Sequence, residues 1–594
     1  MPDGSAKGDI PRWDLTPIYE NFDATSYVDD KAELKDLATQ LQTAAADGEM
    51  RRSDPEGWLT KVVRLANRAT DLAENLGSYC YARYSTETTN QQAVNELGKI
   101  EELFVPLTSA QVEINNGLAE IGKEKLDELA ESSDLAPYTF FFEESLEFQK
   151  HQMTSAEENL AADLSRTGAD AWGRLQETIS STLSTEWEPG VAKTVVQLRA
   201  MAFDPSRDVR QKAYKKELAL WKSAEIPIAA ALNGVKGTSV TLAKRRGFTP
   251  GVQKAVMQSR INDQTLDSLL TAMEESLPTF RRYLKAKAKI LGVEKLAFYD
   301  LFAPVGSAEA RWSYQEGADF IVKHFSEFSE DLGDLAKRAF AENWIDAEPR
   351  EGKVGGAYCT GMPIAKVSRI LANFDGSFDA VSTLAHELGH AYHGEVLKDE
   401  PALRSEYPMT LAETASIFCQ TIIFNKALET TPDADKPAVI EGFVQDACQV
   451  IVDILSRYKF ETAVFERRDD GELSPSEFSS LMIDAQKATY GDGLDPDALH
   501  QYMWAVKGHY YRAGLDFYNF PYAFGLLFGV ALYAQYEAAP DGFPERYRRL
   551  LGLTGSANAM DVCSEAGFNI QTPEFWRGGI DVVKRYVDQF EAFA

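Results

Sequence analysis

Cysteine is scarce in this chain of 594 residues, and the five present (Cys80, Cys359, Cys419, Cys448 and Cys563) are scattered and odd in number. No CxxC pair occurs, which argues against a disulfide framework or a cysteine-built zinc site. Positive charge is also short: 61 Lys and Arg against 91 Asp and Glu leave a net charge of −30. That balance opposes binding to phosphate backbones and anionic lipids, so neither nucleic acid nor membrane is an expected partner. The longest apolar run, Tyr522 to Ala534, falls short of the roughly 18 residues that a membrane span needs. The start, MPDGSAKGDIPRW, has no apolar stretch after a basic one, so no signal segment is read and a cytoplasmic protein is expected. What is present is a folding composition, 44% apolar and 11% aromatic. The length exceeds what one hydrophobic core supports, which implies two or more sub-structures.

Most of the chain has helical periodicity. Segments such as TSAEENLAADLSRTG and DQTLDSLLTAMEESLPTFRRYLKAKAKILG place apolar residues three and four apart. Their starts carry cap signals: Ser155 stands three residues before Glu158, and Ser474-Pro475-Ser476-Glu477 pairs an N-cap serine with proline at the first helical position. Between Pro349 and Asp379 the texture changes. Gly352, Gly355 and Gly356 mark turns or close backbone approach, and GGAYCT and SRILANF have the pattern of short strands. The expected fold class is therefore mainly α, with a small β-sheet directly before the helix that follows. A helical N-terminal region is expected over residues 1–200 and a second region over 201–594, with no proline- or serine-rich linker between them. The segment ERRDDGELSPSEF resembles a calcium loop, but Arg468 falls at the second ligand position, which favours a turn and a capped helix.

Histidine is the other scarce residue, with seven in all, and three of them fall in STLAHELGHAYHGE as His386, His390 and His393. The surrounding residues, Val381 to Tyr392, read as a helix. Four residues advance a helix by about 400°, so His386 and His390 point nearly the same way, roughly 6 Å apart along the axis. Two imidazoles so placed can converge on one tetrahedral zinc ion. Glu387, about 100° round, is instead placed beside an open coordination position, where a carboxylate can take a proton from water. The competing account is two histidines satisfied on a helix surface with Glu387 solvated.

Zinc needs a third protein ligand. Val396 stands where the metzincin pattern requires histidine, and His393 lies roughly 10 Å along the axis from His386. The better candidate is Glu413, in SEYPMTLAETASIFCQTIIF, on a largely apolar helix where an acid wants a partner. Thr410 and Glu413 also match a capping box, so pattern alone supports either role. The need for a third ligand favours the metal.

Several segments together resemble a known family, the zinc peptidases related to thimet oligopeptidase and especially their oligoendopeptidase F branch. The likeness is carried by GKVGGAYC, SRILANFDGSFDAVSTLAHELGHAYH, LAETASIF and GHYYRAGLDFYNFPYAFG. It covers about residues 200 to 590 well and the N-terminal third loosely. The resemblance implies a large helical ellipsoid with a deep central channel, residues 1–200 forming one wall and 201–594 the catalytic domain, with zinc on the channel floor. It implies short, unstructured peptide substrates. It places Glu413 as third ligand in a Glu-x-x-Ser context that Ser416 preserves, and lays the strand at Gly355, Gly356, Ala357 and Tyr358 along the substrate backbone. His509, Tyr510, Tyr511, Tyr518 and Tyr522 form a segment rich in neutral donors of the kind that stabilise an oxyanion. For any single tyrosine, packing in the core is the competing account. The resemblance gives the oxyanion role to a histidine and tyrosines of this segment. By position these are His509 and Tyr518, with Tyr522 next as a substrate contact. Phe520 and Pro521 depart from the family habit of a tyrosine and a polar residue.

The expected function is that of a metalloendopeptidase with one zinc ion, hydrolysing internal bonds of oligopeptides, with Glu387 as general base toward a zinc-bound water. Two alternatives remain at this point. One is an exopeptidase of carboxypeptidase or dipeptidyl carboxypeptidase type, gripping a terminal carboxylate through Arg369, Lys507 or Arg512. The other is a non-catalytic peptide-binding protein with a structural metal, for which Glu387 has no use.

Overall fold

The computed structural model describes residues 10–132, 134–306, 311–468 and 470–594. Residues 1–9, read above for a signal segment, and Asp469 of the calcium-like segment lie outside them. In chain order the main elements are α1 (Thr25–Ala45), α2 (Pro55–Thr86), α3 (Gln91–Ile121), strands β1 (Ser184–Glu188) and β2 (Val191–Thr194), α4 (Arg207–Arg245) and α5 (Asp263–Ile290). They continue with β3 (Ile345–Asp346), β4 (Tyr358–Met362), β5 (Val367–Leu371), α6 (Phe378–Leu397), α7 (Thr414–Thr430), α8 (Ile454–Arg468), α9 (Pro475–Tyr490), α10 (Phe520–Ala538) and α11 (Pro573–Glu591). The fold is mainly α. Among the described residues no helix is long and apolar enough to cross a membrane, and all five cysteines are free.

The chain folds into two compact units, each assembled from separate segments. One unit comprises Met1–Ser155, Ala310–Ala427 and Gln535–Gly567; the other comprises Ala156–Glu309, Leu428–Ala534 and Phe568–Ala594. In the second unit, Asn262 caps α5 by accepting from Thr265 N–H at 2.9 Å, and α5 packs along α11. There α9 opens with the capping box read in the sequence, Ser474 against Glu477, with Pro475 in the first turn.

In the first unit, α1, α2 and α3 pack on one another around Tyr27, Trp58, Leu72, Leu76, Tyr79 and Ile100. Asp54 caps α2 and Pro55 opens it, and the Trp58 indole N–H donates to Ala44 O at 2.7 Å. Met362 joins the same core, which ties β4 to the helices. The sheet order is β3-β5-β4, with β3 parallel and β4 antiparallel to β5. Helix α6 leaves this sheet and packs back on β4 and β5. Its cap is Ser377, which accepts from Ala380 N–H at 3.1 Å, so the helix starts earlier than the Val381 expected from the sequence. Val381, Leu384, Ala385, Leu388 and Ala391 are buried, and this face fixes the rotation of α6 about its axis.

Glu96 on α3 shows how this unit holds a charge. It is 8% exposed and accepts from Lys31 (2.6 Å), Lys99 (2.7 Å) and Tyr27 (2.9 Å). Burial alone would raise its carboxyl; the two ammonium groups and the phenol outweigh that and hold it down at about 2. A carboxyl depressed in the fold stabilises above its unfolded value and stops doing so as pH falls through the folded one. Glu96→Gln is therefore expected to cost about 1–3 kcal/mol near pH 7. In denaturant titrations the gap to wild type should close between about pH 5 and 2. A gap that does not change with pH would assign the loss to packing instead.

Candidate metal centre

The polar positions left on α6 include His386 and His390, one turn apart, with ring centroids 5.0 Å apart and planes at 80°. Both present Nε2 to the same carboxylate: Glu413 Oε2 lies 3.3 Å from His386 Nε2 and 3.5 Å from His390 Nε2. One donor atom from each of the three residues falls within 4.8 Å of the others. His386 Nδ1 sits 3.0 Å from Gln420 Oε1, an acceptor, which keeps the proton on Nδ1 and leaves Nε2 as a lone-pair donor. His390 is likewise bonded to the backbone of Ala412. Two neutral imidazoles and a carboxylate converging on one point fit a divalent cation of the zinc type.

Glu413 is not in the capping box that its sequence allows. Its helical turn begins after Pro408, and Glu413 occupies the junction before α7. There its Oε2 accepts from Ser416 Oγ at 2.6 Å. What brings it to α6 is Gly389, between the two histidines. A Cβ at that position would lie 2.5 Å from Ala415 O and 2.6 Å from the Ser416 Cα. The start of α7 thus rests directly on the α6 backbone. Sequence reading passed over this glycine because only the tertiary approach reveals the need for it. Gln420, one turn further along α7, was missed for the same reason.

Burial and partners drive the ionisable groups apart. Glu387 is 5% exposed and its Oε2 is buried without a partner. Burial lifts its carboxyl to about 7. Glu413 is also disfavoured as an anion by burial, yet His386, His390 and Ser416 hold it down at about 2. Burial lowers His390 to about 4, whereas Glu413 leaves His386 raised. His393 takes no part in the cluster: it is buried, stacked at 4.0 Å on Tyr407, with Nε2 2.8 Å from Thr554 Oγ1.

The cluster opens on a cavity of about 790 Å³ in the same unit, lined by β4 and β5, Tyr407 and the acids Glu74 and Glu406 among others. Of the expected substrate strand, Ala357 and Tyr358 line this cavity. Gly355 and Gly356 are exposed, and Gly356 has φ 80°, a turn conformation that suits glycine. Cys359 also lines the cavity, but burial and then Glu387 push its thiol far above the ordinary range, so it stays protonated. Arg369, a candidate carboxylate grip, is 2% exposed and spent on the backbone carbonyls of Asp14 and Ser368.

The C-terminal donors form a cluster of their own in the second unit. The His509 ring lies 5.2 Å from Tyr518 and 6.0 Å from Tyr522, and the two tyrosines are 5.5 Å apart. Burial, then Arg457, Arg512 and Lys507, lowers His509 to about 4, which keeps it a neutral imidazole near pH 7. Tyr510 and Tyr511 are core residues instead, each 2% exposed, with Tyr511 donating to Trp504 O at 3.0 Å.

Two histidines and a glutamate spaced as HExxH on one helix, with a carboxylate at the head of the next, match the arrangement of the HExxH class of metallopeptidases. The chain belongs to Peptidase family M3, which matches residues 200–581, and residues 118–184 match the family described as Oligopeptidase F. It is 23% identical to an oligoendopeptidase F homolog of Lactococcus lactis over 98% of this chain and 96% of the relative. It is 23% identical to oligopeptidase PepF of Bacillus subtilis over 100% of this chain and 88% of the relative. The crystal structure of oligoendopeptidase-F from Enterococcus faecium superposes with a TM-score of 0.70 at 17% identity, covering 96% of this chain and 98% of that one.

If the α6–α7 approach sets the donor geometry, Gly389→Ala should lower Tm by several degrees and weaken zinc binding by about tenfold or more in chelator competition. Gly394→Ala, on the same helix, meets only Ser368 Oγ at 3.6 Å. It is expected to keep both within error or gain up to about 1 kcal/mol of helix propensity. Equal behaviour of the two variants would refute the close-approach account.

Proposed function

We propose that this chain is a zinc-dependent endopeptidase acting on internal bonds of short, unstructured peptides, with one zinc ion held by His386, His390 and Glu413. The observation that carries the reading is Glu387: a buried carboxylate oxygen without a partner, beside three convergent metal donors. Burying such a group is costly, and a base that titrates near neutrality gives it a use. When bound, zinc supplies the Lewis acidity that makes water nucleophilic near neutral pH and polarises a carbonyl.

The protein's own groups divide the remaining work. Glu387 Oε2 accepts a proton from the attacking water and returns it to the leaving amine nitrogen. Gln420 and Ser416 orient His386 and Glu413 from behind. The strand around Ala357 and Tyr358 offers backbone groups to an extended peptide, the mode by which a sheet edge binds a strand. Gly355, Gly356 and Tyr522 belong to the same proposed substrate contacts. His509, as a neutral imidazole, and Tyr518, through its phenol, donate hydrogen bonds to the oxyanion of the tetrahedral intermediate. A cytoplasmic site of action agrees with this substrate class.

The test is cleavage of an internally quenched peptide of about ten residues, blocked at both ends. Wild type should cut it internally and lose activity to chelator. Glu387→Gln should keep its zinc while kcat falls by about 10³-fold or more. Trimming of free peptides alone would move the reading to an exopeptidase. Retained turnover in the variant would remove Glu387 from the mechanism.

A further inference from the structure

The turn that carries Tyr518 is strained, and a buried group of charges holds it. Phe517 has φ 56°, in the left-handed region that bulky side chains avoid. Its ring is buried and packed 5.4 Å from both Tyr458 and Phe465. Strain of this kind persists only where neighbours over-determine it. Here the neighbours are identifiable. Glu461 of α8 accepts from the Phe517 N–H through Oε1 at 3.1 Å and from Asn519 Nδ2 through Oε2 at 2.8 Å. One carboxylate therefore grips the chain on both sides of Tyr518. Lys236 of α4 donates to Glu461 Oε1 at 2.6 Å and to Asp516 Oδ1 at 2.8 Å, and Ser239 donates to Asp516 at 3.1 Å. Asn519 then turns the chain into α10 by accepting from Phe520 N–H at 2.6 Å.

Lys236 is 1% exposed and Glu461 2%. Burial pushes the ammonium down, but Asp516 and Glu461 together hold it above the ordinary lysine range, so it is a cation shared by two carboxylates. A buried ion cluster of this sort is weak evidence for stability, since apolar residues of similar volume often do as well. Its better-attested use is to select one conformation. The conformation selected here is that of residues 516–519, and the side chain it displays is Tyr518, half-buried and edge-on to His509.

We propose that Lys236, Glu461 and Asp516 form a clamp that aims the Tyr518 phenol, which makes Glu461 a positioning residue for the oxyanion donor. The proposal rests on the reading of Tyr518 given above. Misplacing a catalytic donor by about 1 Å can cost on the order of 100-fold in rate without unfolding anything.

A double-mutant cycle separates aiming from general support. kcat and KM would be measured for wild type, Glu461→Gln, Tyr518→Phe and the double variant, well below each variant's Tm. Glu461→Gln is expected to lower kcat about 10- to 100-fold, with KM within about threefold of wild type. Tyr518→Phe should lose at least as much, and the double variant should be no slower than Tyr518→Phe alone. If Glu461→Gln slows the enzyme by the same factor in both backgrounds, or leaves kcat unchanged, the clamp does not act through Tyr518 and the proposal falls. If Tyr518→Phe keeps wild-type kcat, the oxyanion reading fails first and takes the proposal with it. Should Glu461→Gln not fold, Asp516→Asn carries the same cycle, because it leaves both Glu461 bridges in place.

Discussion

Gly389 stands between the two histidines of α6, and the space its side chain would fill is taken by the backbone of Ala415 and Ser416. The donor set depends on that approach. His386 and His390 converge by helical period alone, which any helix would provide. Glu413 reaches them because α7 begins against the α6 backbone, with no side chain held between. The sheet before α6 and the buried Val381–Ala391 face fix the other side, so the helix can neither rotate nor retreat from its partner. A metal centre whose ligands come from two elements is only as precise as the packing between them. Here that packing is backbone against backbone.

The same enclosure separates two glutamates of one site. Glu413 has two imidazoles within 3.5 Å and a serine hydroxyl to accept from, and together they overcome its burial. Glu387 has burial without a partner for Oε2, and its carboxyl moves the opposite way, to about 7. A residue held as an anion suits a ligand, and one poised near neutrality suits a base that must take a proton and give it back. Environment, not residue type, separates the two carboxyls.

Much of this was legible in the sequence, for physical reasons that differ by residue. His386, Glu387 and His390 were readable because a helical period converts spacing into direction. The short strands at GGAYCT and SRILANF were readable because glycine turns bound them. Glu413, expected as a ligand because a third one was needed, lies beside both histidines, although its local pattern also allowed a capping box; Pro408, which starts the turn before it, rules against the cap. Gly389 and Gln420 were not legible, since their importance lies in contacts between elements and leaves no periodic trace. Of the aromatic residues near His509, Tyr510 and Tyr511 proved to be core, while Tyr518 and Tyr522 pack with His509. Sequence could not divide them, because burial of an aromatic ring is decided by contacts between elements.

The most direct test is X-ray absorption spectroscopy at the zinc edge on protein loaded with one equivalent of the metal. Two imidazole nitrogens and otherwise only oxygen, at about 2.0–2.1 Å, are expected from His386, His390 and Glu413. A sulfur scatterer at about 2.3 Å, which would implicate Cys359, or a third imidazole, would contradict the centre described here.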